Sequence, residues 1–336
     1  MEMDVMVCAE PGRLELERRP RPRCAPGEVL LRPRRVGMCG TDMHIFGGTQ
    51  PYLSYPRVMG HEIAAEVVEG NDELRPGDTV FVMPYISCGT CVACAKGRTN
   101  CCTHMSVLGV HQDGALAEYI AVPADFVFKV EGIDLDAVAM IEFLAIGAHA
   151  VRRAAIEPGQ QVLVVGAGPI GIACALFAQA AGGIVTALDG RQDRLDFARD
   201  EIGIAHIVSL DAEADFRLAE ITNGDFYDVV FDATGNPKAM EAGFTRLAHA
   251  GTYVLVSVVQ ADICFNDPEF HKRETTLLAS RNATAQDFRY VVEAIRSGIV
   301  PVQALATHRT SMRDLPAAIE QWSRPEAHVI KGLVEL

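Results

Sequence analysis

Gln161-Val162-Leu163-Val164-Val165-Gly166-Ala167-Gly168-Pro169-Ile170-Gly171 is the stretch that decides the fold. An apolar run of strand type meets three glycines in the pattern G-x-G-x-x-G, and an uninterrupted helical segment follows to about Ala181. Each glycine answers a separate demand. The first permits a tight turn, the second lets backbone amides approach a pyrophosphate, and the third lets helix and strand pack closely. The positive end of the helix then meets the phosphate charge. A second apolar run, Ile184 to Leu188, ends in Asp189, 18 residues beyond Gly171. A carboxylate there accepts hydrogen bonds from the adenosine ribose hydroxyls and repels a 2′-phosphate, so NAD is expected over NADP. Arg191 and Arg194 stand nearby and pull the other way, since arginine can pair with a 2′-phosphate. The expected cofactor residues are Gly166, Gly168, Pro169, Ile170, Gly171, Asp189 and Arg194.

Outward from this turn, strand candidates at Ala205 to Ser209, Asp228 to Phe231, Gly251 to Ser257 and Thr276 to Ala279 alternate with helical stretches. That alternation predicts a parallel sheet covered by helices on both faces. The stretch from Gln161 to Leu188 carries no charge and is long enough to span a membrane, but its glycines and Pro169 break it into pieces too short to cross. Before about residue 150 the chain is rich in short β-type runs, such as Glu28 to Val36, Ile63 to Val68 and Thr79 to Val82, separated by Gly and Pro. A length of 336 residues already favours two domains. The net charge of −14 argues against a general nucleic-acid or anionic-membrane binder, which needs clustered cations. The start, MEMDVMVCAEPG, is not a basic segment followed by an apolar core, so a cytoplasmic location is expected.

Two groups of residues suggest metal. Cys88, Cys91, Cys94 and Cys102 supply four soft thiolates on a short loop, enough to close a tetrahedral structural zinc shell, with Cys101 a competitor for the fourth place. Cys39 in Cys39-Gly40-Thr41-Asp42-Met43-His44, with Gly60-His61-Glu62, joins sulfur, nitrogen and carboxylate, a set suited to a catalytic zinc with an exchangeable position. Glu142 lies inside the otherwise apolar run AVAMIEFLAIGAHAV, where an unpartnered carboxylate is costly, so it is expected to face a metal, a cation or a polar pocket.

With these residues in view, the sequence resembles the zinc-dependent medium-chain dehydrogenases, the alcohol, polyol and threonine dehydrogenase group, over essentially its whole length. The resemblance rests on Gly37 to His44, Gly60-His61-Glu62, Pro76-Gly77-Asp78, the cysteine lobe, Glu142, the glycine turn and Asp189. It implies a mixed α/β fold: a β-rich GroES-like catalytic domain over 1–147 and 283–336, with a zinc lobe at about 86–104, and a Rossmann doubly wound parallel-sheet domain over 148–282. It also implies two zinc ions per chain and NAD. Cys39 and His61 then look like catalytic ligands, with Glu62 ranked ahead of Glu142 for the remaining positions. Ala65 and Phe143 depart from the family pattern, where glycine and proline are usual.

The expected reaction is oxidation of a secondary hydroxyl, with Thr41 and His44 passing its proton to solvent. A finer resemblance, to sugar-acid-oxidising members, rests on Ser54 to Glu62, Ser106 to Gly114, Ala148 to Ile156, Asp267 to Thr276 and Ser280 to Thr284. It implies a small-molecule aldonate substrate of the L-galactonate or L-gulonate type, with neutral polyol oxidation or L-threonine 3-dehydrogenation as alternatives. Arg281 is the leading partner for a substrate carboxylate, because its planar fork binds one at two points. His271, Lys272 and Arg273 form a second basic cluster, equally readable as a solvated turn or a subunit contact. Family habit suggests a homodimer or homotetramer. A passive NAD sensor has no need of an open metal site, and zinc-free quinone reductases of the same superfamily usually lack the cysteine lobe.

Overall fold

The computed structural model describes residues 1–50 and 53–336. Two compact units emerge: Met1–Glu142 with Thr284–Gly298 and Val302–Leu336, and Phe143–Ala283 with Ile299–Pro301. The first division falls inside the helix Ile141–Ala154.

The second unit holds a six-stranded parallel sheet in the order His206–Ser209, Ile184–Asp189, Gln161–Val165, Tyr227–Asp232, Leu247–Leu255, Thr276–Ala279. The chain order reverses on either side of Gln161–Val165, and ligands of such sheets bind beyond the carboxyl ends of the strands at that point. Val165 pairs with Leu188 on one side and Asp232 on the other, so the glycine turn and Asp189 share that end. Leu163, Val165, Leu188, Val230 and Tyr253 fill the core. One strand differs from expectation. Leu247–Leu255 begins before Gly251 and contains an irregularity there: Ala250 adopts a left-handed conformation and the register slips between Tyr227 and Val229.

The charge-free stretch contains the helix Pro169–Ala180, whose residues Gly171 to Ala178 are all buried. Its 12 residues span about 18 Å, well short of a hydrocarbon core of about 30 Å. Among the described residues no helix is long and apolar enough to cross a membrane.

The first unit is built on Glu28–Met38, which pairs antiparallel with Glu62–Glu69, Ile120–Pro123 and Gly332–Glu335 in a seven-stranded sheet. Val36, Ile63, Leu116, Ile319 and Trp322 lie in its core. The register decides where the chemistry sits. Gly37 is opposite Glu62 on one side and Leu333 on the other, while Met38 faces Gly332. Cys39, Glu62 and Lys331 are thus brought to one end of the sheet from three distant parts of the chain.

Candidate metal centres and cofactor turn

Cys39 ends the strand and caps the helix Gly40–Phe46: its sulfur accepts from the Thr41 amide at 3.2 Å, and Asp42 Oδ2 accepts from the Cys39 amide at 3.0 Å. Asp42 Oδ1 accepts from the Gly60 amide at 3.3 Å, tying this helix to the segment that carries His61. His61 Nε2 then lies 3.0 Å from Cys39 Sγ. Its buried Nδ1 has no hydrogen-bond partner, with Asp42 Oδ1 at 3.8 Å. Ligand atoms of Cys39, Asp42 and His61 all fall within 4.8 Å of one another. Burial opposes a charged His61, but the neighbouring Cys39 and Asp42 outweigh it and hold the imidazole pKa well above its ordinary value. Burial likewise pushes the Cys39 thiol up.

Glu62 and Glu142 are buried in the same region with different partners. Lys331, 0% exposed, donates to both oxygens of Glu62, at 2.6 and 2.8 Å, and to the Met38 carbonyl at 3.3 Å. Gly37 makes room for this pair, since a Cβ there would overlap Glu62 Oε2. Glu142 Oε1 accepts a short hydrogen bond from the buried Tyr85 hydroxyl, and the Tyr85 ring sits edge-on to Phe288. Burial pushes the Glu142 carboxyl up to about 7, opposed by His61 and assisted by Glu62. A pocket whose thiol and carboxyl are both driven toward neutrality by burial is one in which a divalent cation would restore their ionised forms. The sulfur, nitrogen and oxygen donors gathered there fit zinc.

The cysteine lobe is of another kind. Sulfurs of Cys88, Cys91, Cys94 and Cys102 converge within 4.8 Å, whereas Cys101 is exposed and outside the cluster. Cys91 Sγ lies 3.5 Å from Cys94 Sγ and 3.9 Å from Cys102 Sγ. A tetrahedron with metal–sulfur bonds near 2.3 Å has edges of about 3.8 Å, so the group fits zinc directly. Backbone amides reach into the group: Cys102 Sγ accepts from the Cys88 and His104 amides, each at 3.3 Å. The Thr90 amide and hydroxyl hold Cys88 down to about 5, and the Cys94 and Thr103 amides hold Cys91 down to about 6.

In the other unit, Gly166 takes φ +93°, and a Cβ on Gly171 would overlap the Gly166 carbonyl oxygen. Gly168 caps the following helix without a side chain, and Pro169 occupies its first turn, which leaves the amides there for a ligand. Asp189 fixes the turn: Oδ2 accepts from the Ala167 amide at 2.6 Å and Oδ1 from the Arg191 amide at 2.8 Å. Arg194 reaches the Ala167 carbonyl at 3.5 Å.

The remaining expected residues are more scattered. Thr41 is half-buried beside Cys39, while His44 is exposed, with Nδ1 2.8 Å from Thr49 Oγ1. Arg281 is exposed, just after the last strand of the parallel sheet. Arg273 donates to the Leu247 carbonyl at 2.6 Å and pairs with Glu269, so within the basic cluster it braces the fold. Sequence reasoning passed over Asp42, Tyr85 and Lys331. Lys331 had a signal: a single charge within Val329 to Val334.

These two centres and the nucleotide turn define a zinc-type oxidoreductase, and comparison agrees. The alcohol dehydrogenase GroES-like domain matches residues 25–132, and the zinc-binding dehydrogenase family matches residues 169–297. The chain belongs to the zinc-type medium-chain dehydrogenases, oxidoreductases that act on CH–OH groups. It is 42% identical to L-galactonate-5-dehydrogenase of Escherichia coli K12, covering 99% of this chain and 98% of that one. Sorbitol dehydrogenase of Bacillus subtilis is 30% identical over 99% of this chain and 97% of its own. Among solved structures, an alcohol dehydrogenase (rspB) of E. coli CFT073 complexed with NADH superposes with a TM-score of 0.92 at 27% identity, covering 100% of this chain and 99% of that one.

Proposed function

We propose that the protein oxidises a secondary hydroxyl of a sugar acid, of the L-galactonate or L-gulonate type, to the keto acid with NAD. The observation that carries this reading is the 42% identity, over nearly the full length of both chains, to L-galactonate-5-dehydrogenase. Bound zinc supplies Lewis acidity that lowers the pKa of an alcohol, and NAD supplies the hydride acceptor.

The chain's own residues do the rest. Cys39 and His61 hold the catalytic ion, and Asp42, with Oδ1 3.8 Å from His61 Nδ1, stands behind the ring, where a carboxylate commonly orients a ligand histidine. Glu142 is the better candidate for the next position, because both Glu62 oxygens face Lys331 while Tyr85 engages one oxygen of Glu142. Glu62 sets the charge beside the ion. Cys88, Cys91, Cys94 and Cys102 close the structural site. Thr41 relays the substrate proton, its hydroxyl passing on its own proton as it accepts one, and His44, exposed and joined to Thr49, delivers it to solvent. The amides of Ile170 and Gly171, in the first turn of the helix Pro169–Ala180, bind the pyrophosphate, and Asp189 binds the ribose and disfavours NADP. Arg281 takes the substrate carboxylate.

A panel of sugar acids, polyols and L-threonine, assayed with NAD by reduced-cofactor absorbance, tests the reading. Turnover of aldonates well above that of sorbitol and threonine is expected, and preference for a neutral polyol contradicts it. Arg281→Ala should raise the aldonate KM by about tenfold or more, the value of a charged hydrogen-bonded contact.

A further inference from the structure

Close to the Asp189 carboxylate lies a compact group of four charges that the proposed reaction does not fully use. Arg191 follows Asp189 by two residues and donates its amide to Asp189 Oδ1. Its guanidinium is held at two points by Asp193, Nε to Oδ1 at 3.1 Å and Nη2 to Oδ2 at 2.6 Å. Asp193 stands in the first turn of the helix Gln192–Asp200, where the helix dipole favours an acid. Arg194, on the same turn, lies against Gly168 and the Ala167 carbonyl. Burial, and after it Arg191, lowers the Arg194 pKa while Asp189 and Asp193 raise it, so Arg194 feels the other three charges. Two acids cancel two guanidinium groups beside the place assigned to the adenosine ribose.

We infer that Asp193 is a second specificity-determining carboxylate of the cofactor site: by holding Arg191 in a two-point pair, it withholds from a 2′-phosphate the cation that would otherwise receive it. The inference rests on the reading of the glycine turn and Asp189 as an NAD site. Asp193 takes the Nε–Nη2 edge of the Arg191 fork and balances its charge, and the two acids together impose a charge penalty on NADP. Asp189 and Asp193 therefore divide the work. Asp189 repels the phosphate directly, and Asp193 occupies its receptor.

The test uses a matched pair of ligands, 2′,5′-ADP and 5′-AMP, which differ only in the 2′-phosphate, with affinities measured by calorimetry on the full-length enzyme. Asp193→Asn should raise the affinity ratio of 2′,5′-ADP to 5′-AMP by about tenfold or more. Adding Arg191→Ala in that background should return most of the gain. An unchanged ratio in Asp193→Asn, in a protein that still binds NADH, overturns the inference and leaves the NAD reading standing. A raised ratio that Arg191→Ala does not reduce also overturns it, since loss of a negative charge would then act without the guanidinium. Wild-type enzyme that binds NADPH as tightly as NADH overturns the inference and the NAD reading together.

Discussion

The cysteine lobe and the Cys39–His61 centre both gather sulfur, yet they are built on opposite principles. The lobe draws four like donors from one short loop, where neighbouring amides hold the Cys88 and Cys91 thiols low before any ion arrives while Cys94 is pushed up to about 11. The other centre draws unlike donors from the ends of separate elements, a half-buried Cys39 and a buried His61, and surrounds them with acids tied to Lys331 and Tyr85. A closed shell of four thiolates leaves no room for substrate, whereas a mixed set with one committed carboxylate keeps a position for exchange. On the proposed reading, the difference gives structure to one region and chemistry to the other.

The largest effect that sharpens this contrast is expected from His61→Ala. Losing the imidazole should lower kcat/KM by about 10³-fold or more, because Lewis-acid stabilisation is worth several kcal/mol at about 1.4 kcal/mol per decade. Steady-state kinetics on protein of verified fold reads this directly, and a drop below tenfold would break the contrast. Lys331→Met comes next. It strands the Glu62 carboxylate in a fully buried site, for an expected loss of about 3–5 kcal/mol in denaturant unfolding. Combining it with Glu62→Gln should recover most of that loss, and failure to recover would mean that Lys331 acts by packing alone.

Tyr85→Phe removes one donor from a buried carboxylate, so a smaller loss of about 1–3 kcal/mol is expected in the same unfolding measurement. The smallest effects separate two adjacent cysteines. Cys102→Ser should cost the protein one zinc by elemental analysis, while Cys101→Ser, altering a residue outside the cluster, should leave metal content and activity as they were. Equal effects from the two would erase the distinction between their positions.

What the sequence made legible was whatever is local. The glycine turn, the strands around it and the cysteine spacing each lie within a few dozen residues, and their demands on backbone shape or donor number can be read by eye. Asp42 was hidden for a different reason. It lies inside a segment that the sequence reading singled out, but its role depends on the Gly60 amide 18 residues away. Lys331 and Glu62 are 269 residues apart, and only the antiparallel pairing of the C-terminal strand beside Gly37 brings them together. Partner choice between distant segments is a property of register, which spacing does not encode.

The most direct test follows turnover while zinc is withdrawn stepwise by a chelator, with the ions counted per chain. The account predicts that oxidation of the aldonate ceases as the ion at Cys39 and His61 leaves, with the one held by the four cysteines still bound. Undiminished turnover from protein whose Cys39–His61 centre is empty would contradict it.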